Sequence, residues 1–181
     1  MAALTAIRQI DLKRIIAYSS VSHMNLIVLG IFSYTQQGLD GAIYLMVAHG
    51  IVSAALFFCV GVLYDRFHTR LLKYYGGLVQ VMPLFATIFF LFILANMSFP
   101  GTANFIGELL ILIGLYQKNN FILLLAGTSI ILGAAYSIWA YNRIIFGSLK
   151  TKYITNFVDI ALSETIIFSP LLISVVFLGG K

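Results

Sequence analysis

The chain has 181 residues, 61% of them hydrophobic and only 9% charged, and eleven Lys and Arg against six Asp and Glu leave a net charge of +5. With a mean hydropathy of +1.00, it falls outside the soluble globular range and reads as a polytopic membrane protein. Its basic excess marks loop topology and contact with anionic lipid headgroups rather than nucleic acid. The one cysteine, Cys59, lies in an apolar run, which excludes an internal disulfide and a cysteine-ligated iron–sulfur centre or structural zinc.

The opening segment MAALTAIRQIDLKR has neither the apolar core of a signal peptide nor the pattern of a transit peptide, so insertion is expected to rest on the spans. Apolar runs cover residues 15–34, 41–63, 78–97, 105–116, 121–145 and 160–178. A spanning helix needs about 20 residues, so five of these are long enough and 105–116 is short. The expected fold is all-α: a polytopic transmembrane helix bundle of about six membrane segments, one of them interrupted or half-length, forming a single membrane domain over residues 1–181.

The first run carries His23, with Ser19 and Ser20 four and three residues before it. The second carries His49, with Ser53 four residues after it. Each imidazole thus has a hydroxyl on its own helix face. An imidazole titrates near neutral pH and can take a proton at one nitrogen while releasing one from the other, which suits a relay. The competing reading is an interior histidine that hydrogen-bonds across helices. Gly41, Ala48, Ala55 and Gly61 are expected to allow close helix packing. In the polar loop 64–77, His68 reads as a solvated residue, and Lys13 and Arg14 as anchors at a helix end.

The short run follows SFPGTAN (98–104). Pro100 removes a backbone donor and Gly101 loosens the chain, and such backbone survives at membrane depth only when buried in protein or facing a cavity. An interrupted helix whose break faces the protein interior is therefore predicted. Eight residues after Pro100 comes Glu108. A carboxylate inside an apolar span costs about 2.5–3.5 kcal/mol to insert, so it normally faces a bundle interior or a wet path. The plainer alternative is an inter-helix hydrogen bond that only holds the bundle together. Tyr18, Tyr44, Tyr136 and Tyr141 could lend hydroxyls to a water chain. Phosphate loops, nucleophile–base pairs and metal-ligand spacings are not found, so no redox catalysis is expected of this chain.

Basic residues give a partial topology. Arg8, Lys13 and Arg14 before the first run and Arg66, Arg70 and Lys73 after the second share one side, read as matrix or cytoplasm, if both runs cross. Arg143, Lys150 and Lys152 fall opposite if the short run crosses and on the same side if it is re-entrant.

RQIDLKRIIAYSSVSHMNLIVLGI (8–31), GAIYLMVAHGIVSAALFF (41–58), LYDRFHTR (63–70) and FPGTANFIGELLILIG (99–114) resemble, in order, the second half of an antiporter-like membrane subunit of respiratory complex I, the NADH-ubiquinone oxidoreductase of mitochondria. The pairs His49-Gly50 and Gly107-Glu108 favour its subunit-4 branch over the Mrp sodium/proton antiporters, which share the first string. The resemblance implies a proton channel of two inverted repeats, each with a discontinuous helix. His23 and His49 match the family's central histidines, and Glu108 matches its terminal glutamate. A proton relay through His23 and His49 to Glu108, driven by electron transfer elsewhere, follows. The lysines and glutamate of the family's earlier helices have no counterpart here, which implies either a separate polypeptide carrying the N-terminal half or a longer chain of which this sequence is a piece. Other implied partners are the membrane-arm subunits and membrane lipids. NADH, FMN, iron–sulfur clusters and ubiquinone would sit elsewhere in the complex, with no cofactor in this chain. The implied location is the mitochondrial inner membrane, or a bacterial plasma membrane. Two alternatives stay open: sodium/proton antiport, which would place a ring of oxygens near Glu108, and a structural subunit, which would pack dry around both histidines.

Overall fold

Long apolar runs separated by helix-breaking residues fold into a helical bundle in the computed structural model, which describes residues 2–149 and 158–180. The helices are α1 (Ala2–Ile7), α2 (Leu12–Phe32), α3 (Gln36–Phe67), α4 (Pro83–Asn96), α5 (Ala103–Lys118), α6 (Asn120–Ile145) and α7 (Leu162–Gly179). Of these, α2, α3, α6 and α7 are each long and apolar enough to cross a membrane. No strand forms among the described residues; the β-type pairing present is an isolated bridge between Asp11 and Leu71.

The longest helix, α3, has 32 residues and, at about 1.5 Å per residue, exceeds the hydrocarbon thickness, so its last turns emerge at the surface. Its start is fixed by Thr35, whose hydroxyl accepts a hydrogen bond from the Gly38 N–H at 3.2 Å. It ends at His68, an exposed loop residue in the left-handed conformation with φ 49°.

The sequence assigns a full-length span to 78–97, and here the structure differs. Gly77 turns the chain at φ 69°, Leu78–Gln80 forms a single 3-10 turn, and the helix begins only at Pro83, whose fixed φ suits the first helical position. What remains is the 14-residue α4. A turn with Ser98 at φ 57° and Gly101 at φ 92° then separates it from the 16-residue α5. The ends of this break are buried at Ser98 and Asn104, while its tip, Phe99, Pro100 and Gly101, is exposed on this chain, so the expectation of an inward-facing break holds only for its ends.

The two short helices run in series beside α3. Phe85, Phe89 and Phe92 of α4 share a core with Val52, Leu56 and Cys59 in the later half of α3. Along the earlier half, α5 approaches backbone to backbone: a Cβ on Gly107 would sit 2.8 Å from the Leu45 Cβ, and one on Gly41 would sit 2.9 Å from the Gly107 carbonyl oxygen. Gly41, Ala48 and Ala55 do lie in packed contacts, but a Cβ on Gly61 would meet nothing within 4 Å, so Gly61 has no packing role here.

Charged ends follow from this arrangement. The Leu12 N–H donates to the Arg70 carbonyl and the Leu72 N–H to the Ile10 carbonyl, so the start of α2 and the end of α3 share one face of the bundle. Because α4 and α5 together make one crossing, α6 returns to that same face. There the Gly77 N–H donates to the Phe146 carbonyl, which puts Arg143 on the basic side. Lys150 and Lys152 lie outside the described residues.

α7 starts on the same face, where the Arg66 guanidinium donates to both Glu164 oxygens at 3.0 and 2.7 Å. Just before α7, the Asp159 carboxylate accepts from the Leu84 and Phe85 N–H groups at 2.9 and 3.2 Å and so caps α4. At its far end, α7 reaches the helix break, and the Tyr44 hydroxyl donates to the Leu178 carbonyl.

Gly107→Ala is expected to destabilise the native assembly by about 1–3 kcal/mol through overpacking against Leu45, whereas Gly61→Ala is expected to be neutral or slightly stabilising. Melting temperatures of the detergent-solubilised assembly check the contrast, and equal effects would contradict the close α3–α5 seam.

Candidate functional site

Three helices deliver one titratable side chain each to the middle of the bundle. The antiparallel α3–α5 seam sets Gly107 against Leu45, which places Glu108 one turn from the level of His49. The α2 face buried on this pair carries His23. His23 is 5% exposed, His49 2% and Glu108 5%.

His23 Nδ1 lies 2.9 Å from Glu108 Oε1. The proton in that bond has two homes: the ring N–H donates to the carboxylate, or the carboxylic acid O–H donates to the ring nitrogen. The His23 and His49 rings lie 4.9 Å apart between centroids, tilted by 35°. The sequence-predicted trio is thus brought together as one cluster. His23 Nε2 and both ring nitrogens of His49 are buried with no hydrogen-bond partner among the described residues.

The hydroxyls assigned to these rings from helical spacing go elsewhere. Ser19 and Ser20 both donate to the Ile16 carbonyl, and Ser53 donates to the Gly50 carbonyl. Serine in a helix readily bonds the carbonyl one turn back, and that local bond wins. Of the four tyrosines, only Tyr136 reaches the site: it is 1% exposed, and its hydroxyl lies 3.5 Å from the Ser22 Oγ. Tyr141 donates to the Ala86 carbonyl, Tyr44 is bonded to α7, and Tyr18 points outward.

Beside the His23–Glu108 bond lies a cavity of about 10 Å³, whose polar lining comes from Ser22, Asn96, Ser98 and Ser129 as well as the pair itself. A cavity of that size holds one water. Asn96, Ser98 and Asn104 are the residues that sequence reasoning missed. They flank the break, they are buried, and Asn96 Oδ1, Ser98 Oγ and both amide atoms of Asn104 lack partners among the described residues. The signal was there: each is a polar side chain at the edge of an apolar run, open to the same inference as Glu108. No group of three or more His, Cys, Asp or Glu able to hold a metal occurs among the described residues.

The family described as NADH:quinone oxidoreductase/Mrp antiporter, transmembrane, matches residues 1–133, and the chain belongs to it. The chain is similar to NADH-ubiquinone oxidoreductase chain 4 of Marchantia polymorpha, 57% identical over 177 residues, and to that of Arabidopsis thaliana, 59% identical over 177 residues. Each alignment covers 98% of this chain and 36% of the relative. It is also 48% identical to NADH-quinone oxidoreductase subunit M of Rhodobacter capsulatus. Among solved structures, a chain of respiratory complex I from Thermus thermophilus with bound NADH superposes with a TM-score of 0.88 at 33% identity, over 98% of this chain and 37% of that one. A chain of the Mrp complex from a Dietzia species gives 0.77 at 26%, over 81% and 28%. The chain spans about a third of the length of the relatives it matches and corresponds to the C-terminal part of chain 4.

A double-mutant cycle tests the central bond. Glu108→Leu and His23→Leu each leave one buried polar partner unpaired, at about 1–3 kcal/mol, while the double variant removes both, so coupling of similar size is expected in the unfolding free energy of the assembly. Additive effects would show that the two side chains do not interact.

Proposed function

We propose that this chain is the C-terminal, proton-carrying part of a membrane-arm subunit of NADH:ubiquinone oxidoreductase in the mitochondrial inner membrane. The observation that carries the reading is the buried His23–Glu108 hydrogen bond with the His49 ring tilted beside it. Membership of the family and the likeness to chain 4 supply the assembly in which such a cluster would work. Its partners are then the other membrane-arm subunits. NADH and the redox cofactors belong to other subunits.

The relay uses this chain's own atoms. A proton arriving at His23 Nε2 makes the ring cationic; the ring then passes its Nδ1 proton to Glu108 Oε1, across 2.9 Å, and returns to neutral. His49, at 4.9 Å, is placed to feed His23 through water on its unpartnered nitrogens. Charge at neighbouring groups then sets which way the proton leaves. Imidazoles bonded to and beside the carboxylate favour a proton, while the side-chain oxygens of Ser22, Asn96, Ser98 and Ser129 around the adjoining cavity are the feature that a sodium reading would use.

Glu108→Gln keeps the shape and hydrogen-bonding capacity of the protonated acid but cannot carry the proton. The complex is expected to assemble while proton translocation by this subunit is lost. His49→Gln is expected to lower translocation in the same direction without impairing assembly. Reconstituted vesicles in which pumped protons are measured per electron transferred check both. An unchanged ratio for Glu108→Gln would leave the glutamate as a structural hydrogen-bonding group.

A further inference from the structure

Asn96 ends α4 at mid-bundle, 3% exposed. Its Nδ2 donates to the Ser137 Oγ of α6 at 3.1 Å, and its Oδ1 has no partner among the described residues. It lines two separate cavities of about 10 Å³ each. One is lined by His23 and Glu108; the other is lined by Ser19, Tyr136 and Ser137 and, on its apolar side, by Leu12 and Ile15 of α2. Asn96 is the one residue common to both linings. Leu12 stands at the basic face, where its N–H donates to the Arg70 carbonyl. The same wall carries a second bridge, because Ser22 lines the Glu108 cavity and its Oγ lies 3.5 Å from the hydroxyl of Tyr136, a residue that lines the other cavity.

We propose that Asn96 and Tyr136 form the partition of a branch of the proton path that joins Glu108 to the basic face of the bundle. This branch rests on the proton-carrying reading of Glu108 above and adds its route and residues. A lone polar wall in an apolar bundle is costly unless it is satisfied, and an orphan amide oxygen buried between two water-sized cavities has water as its natural partner. The roles differ. Tyr136 is a carrier: its oxygen accepts a proton from water on one side while its own O–H proton passes to Ser22 or to water on the other, so the hydroxyl is regenerated at each transfer. Asn96 transfers nothing. Its Oδ1 accepts from a water and so points that water's second hydrogen toward Glu108, and its Nδ2 occupies a lone pair of Ser137, leaving the Ser137 hydroxyl proton free to donate into the upper cavity. Asn96 is therefore a positioning residue.

The branch makes a prediction that packing alone does not. Tyr136→Phe keeps the ring in its core, and Asn96→Leu keeps the volume; each removes one bridge. In the reconstituted complex, each is expected to lower Glu108-dependent pumping, taken as the difference between wild type and Glu108→Gln, by about fivefold with assembly retained. If Asn96→Leu does not assemble, Tyr136→Phe alone decides. Should Glu108→Gln abolish that pumping while Tyr136→Phe leaves it intact, the branch is overturned and the Glu108 reading stands; should Glu108→Gln have no effect, the reading itself fails and the branch with it. A density map of the assembled complex gives an independent check: ordered water within hydrogen-bond distance of Asn96 Oδ1 supports the branch, and two dry cavities overturn it.

Discussion

A carboxylate in a hydrocarbon-depth bundle must find a polar partner or be neutralised, and the 2.9 Å contact between Glu108 and His23 answers that demand for two costly groups at once. The local architecture serves to make that contact possible. α5 must approach α3 closely enough to bring Glu108 to the level of the histidines, which Gly41 and Gly107 allow by letting backbone meet backbone. α5 must also begin near mid-bundle, which the turn between Asn96 and Ala103 provides. Removing the glycines or the break would move the carboxylate away from its ring.

The break has a second consequence. It places the end of one helix and the start of another in the interior, each with backbone groups that no helical bond satisfies. Turn hydrogen bonds such as Ser98 N–H to Ala95 carbonyl and Phe99 N–H to Leu94 carbonyl take up part of that need. The polar side chains of Asn96, Ser98 and Asn104 gather at the same place. A discontinuous helix thus creates a polar zone in an otherwise apolar protein, beside the groups proposed to carry protons. The half-helix α4 is in turn fixed from outside by Asp159 at its N-terminus, within a segment held by Arg66. Outer faces of α6 and α7, with Leu124, Ile131 and Ile173 exposed, are surfaces for lipid or neighbouring transmembrane helices.

Much of this was legible from residues alone. Apolar run lengths fixed an all-α membrane bundle, Pro100-Gly101 fixed the break, and a carboxylate and two imidazoles within apolar runs marked the three side chains that the fold brings together, because burial of a polar group is costly wherever it occurs. Three things were not legible. Spacing placed Ser19, Ser20 and Ser53 on the histidine faces, yet rotamers that bond the preceding turn sent their hydroxyls to backbone carbonyls. Hydropathy gave 78–97 the length of a span because it does not register that Gly77 and Pro83 delay the helix. Sidedness of Arg143 depended on α4 and α5 sharing one crossing, a tertiary fact that charge counting does not contain.

The central claim is that Glu108 exchanges a proton with His23 while the enzyme turns over. Redox-induced infrared difference spectroscopy on the assembled complex reads this directly. The account predicts a protonated-carboxyl band that appears or shifts on reduction, moves in D2O, and disappears in the Glu108→Gln variant. A difference spectrum whose carboxyl region is the same in wild type and variant would contradict it.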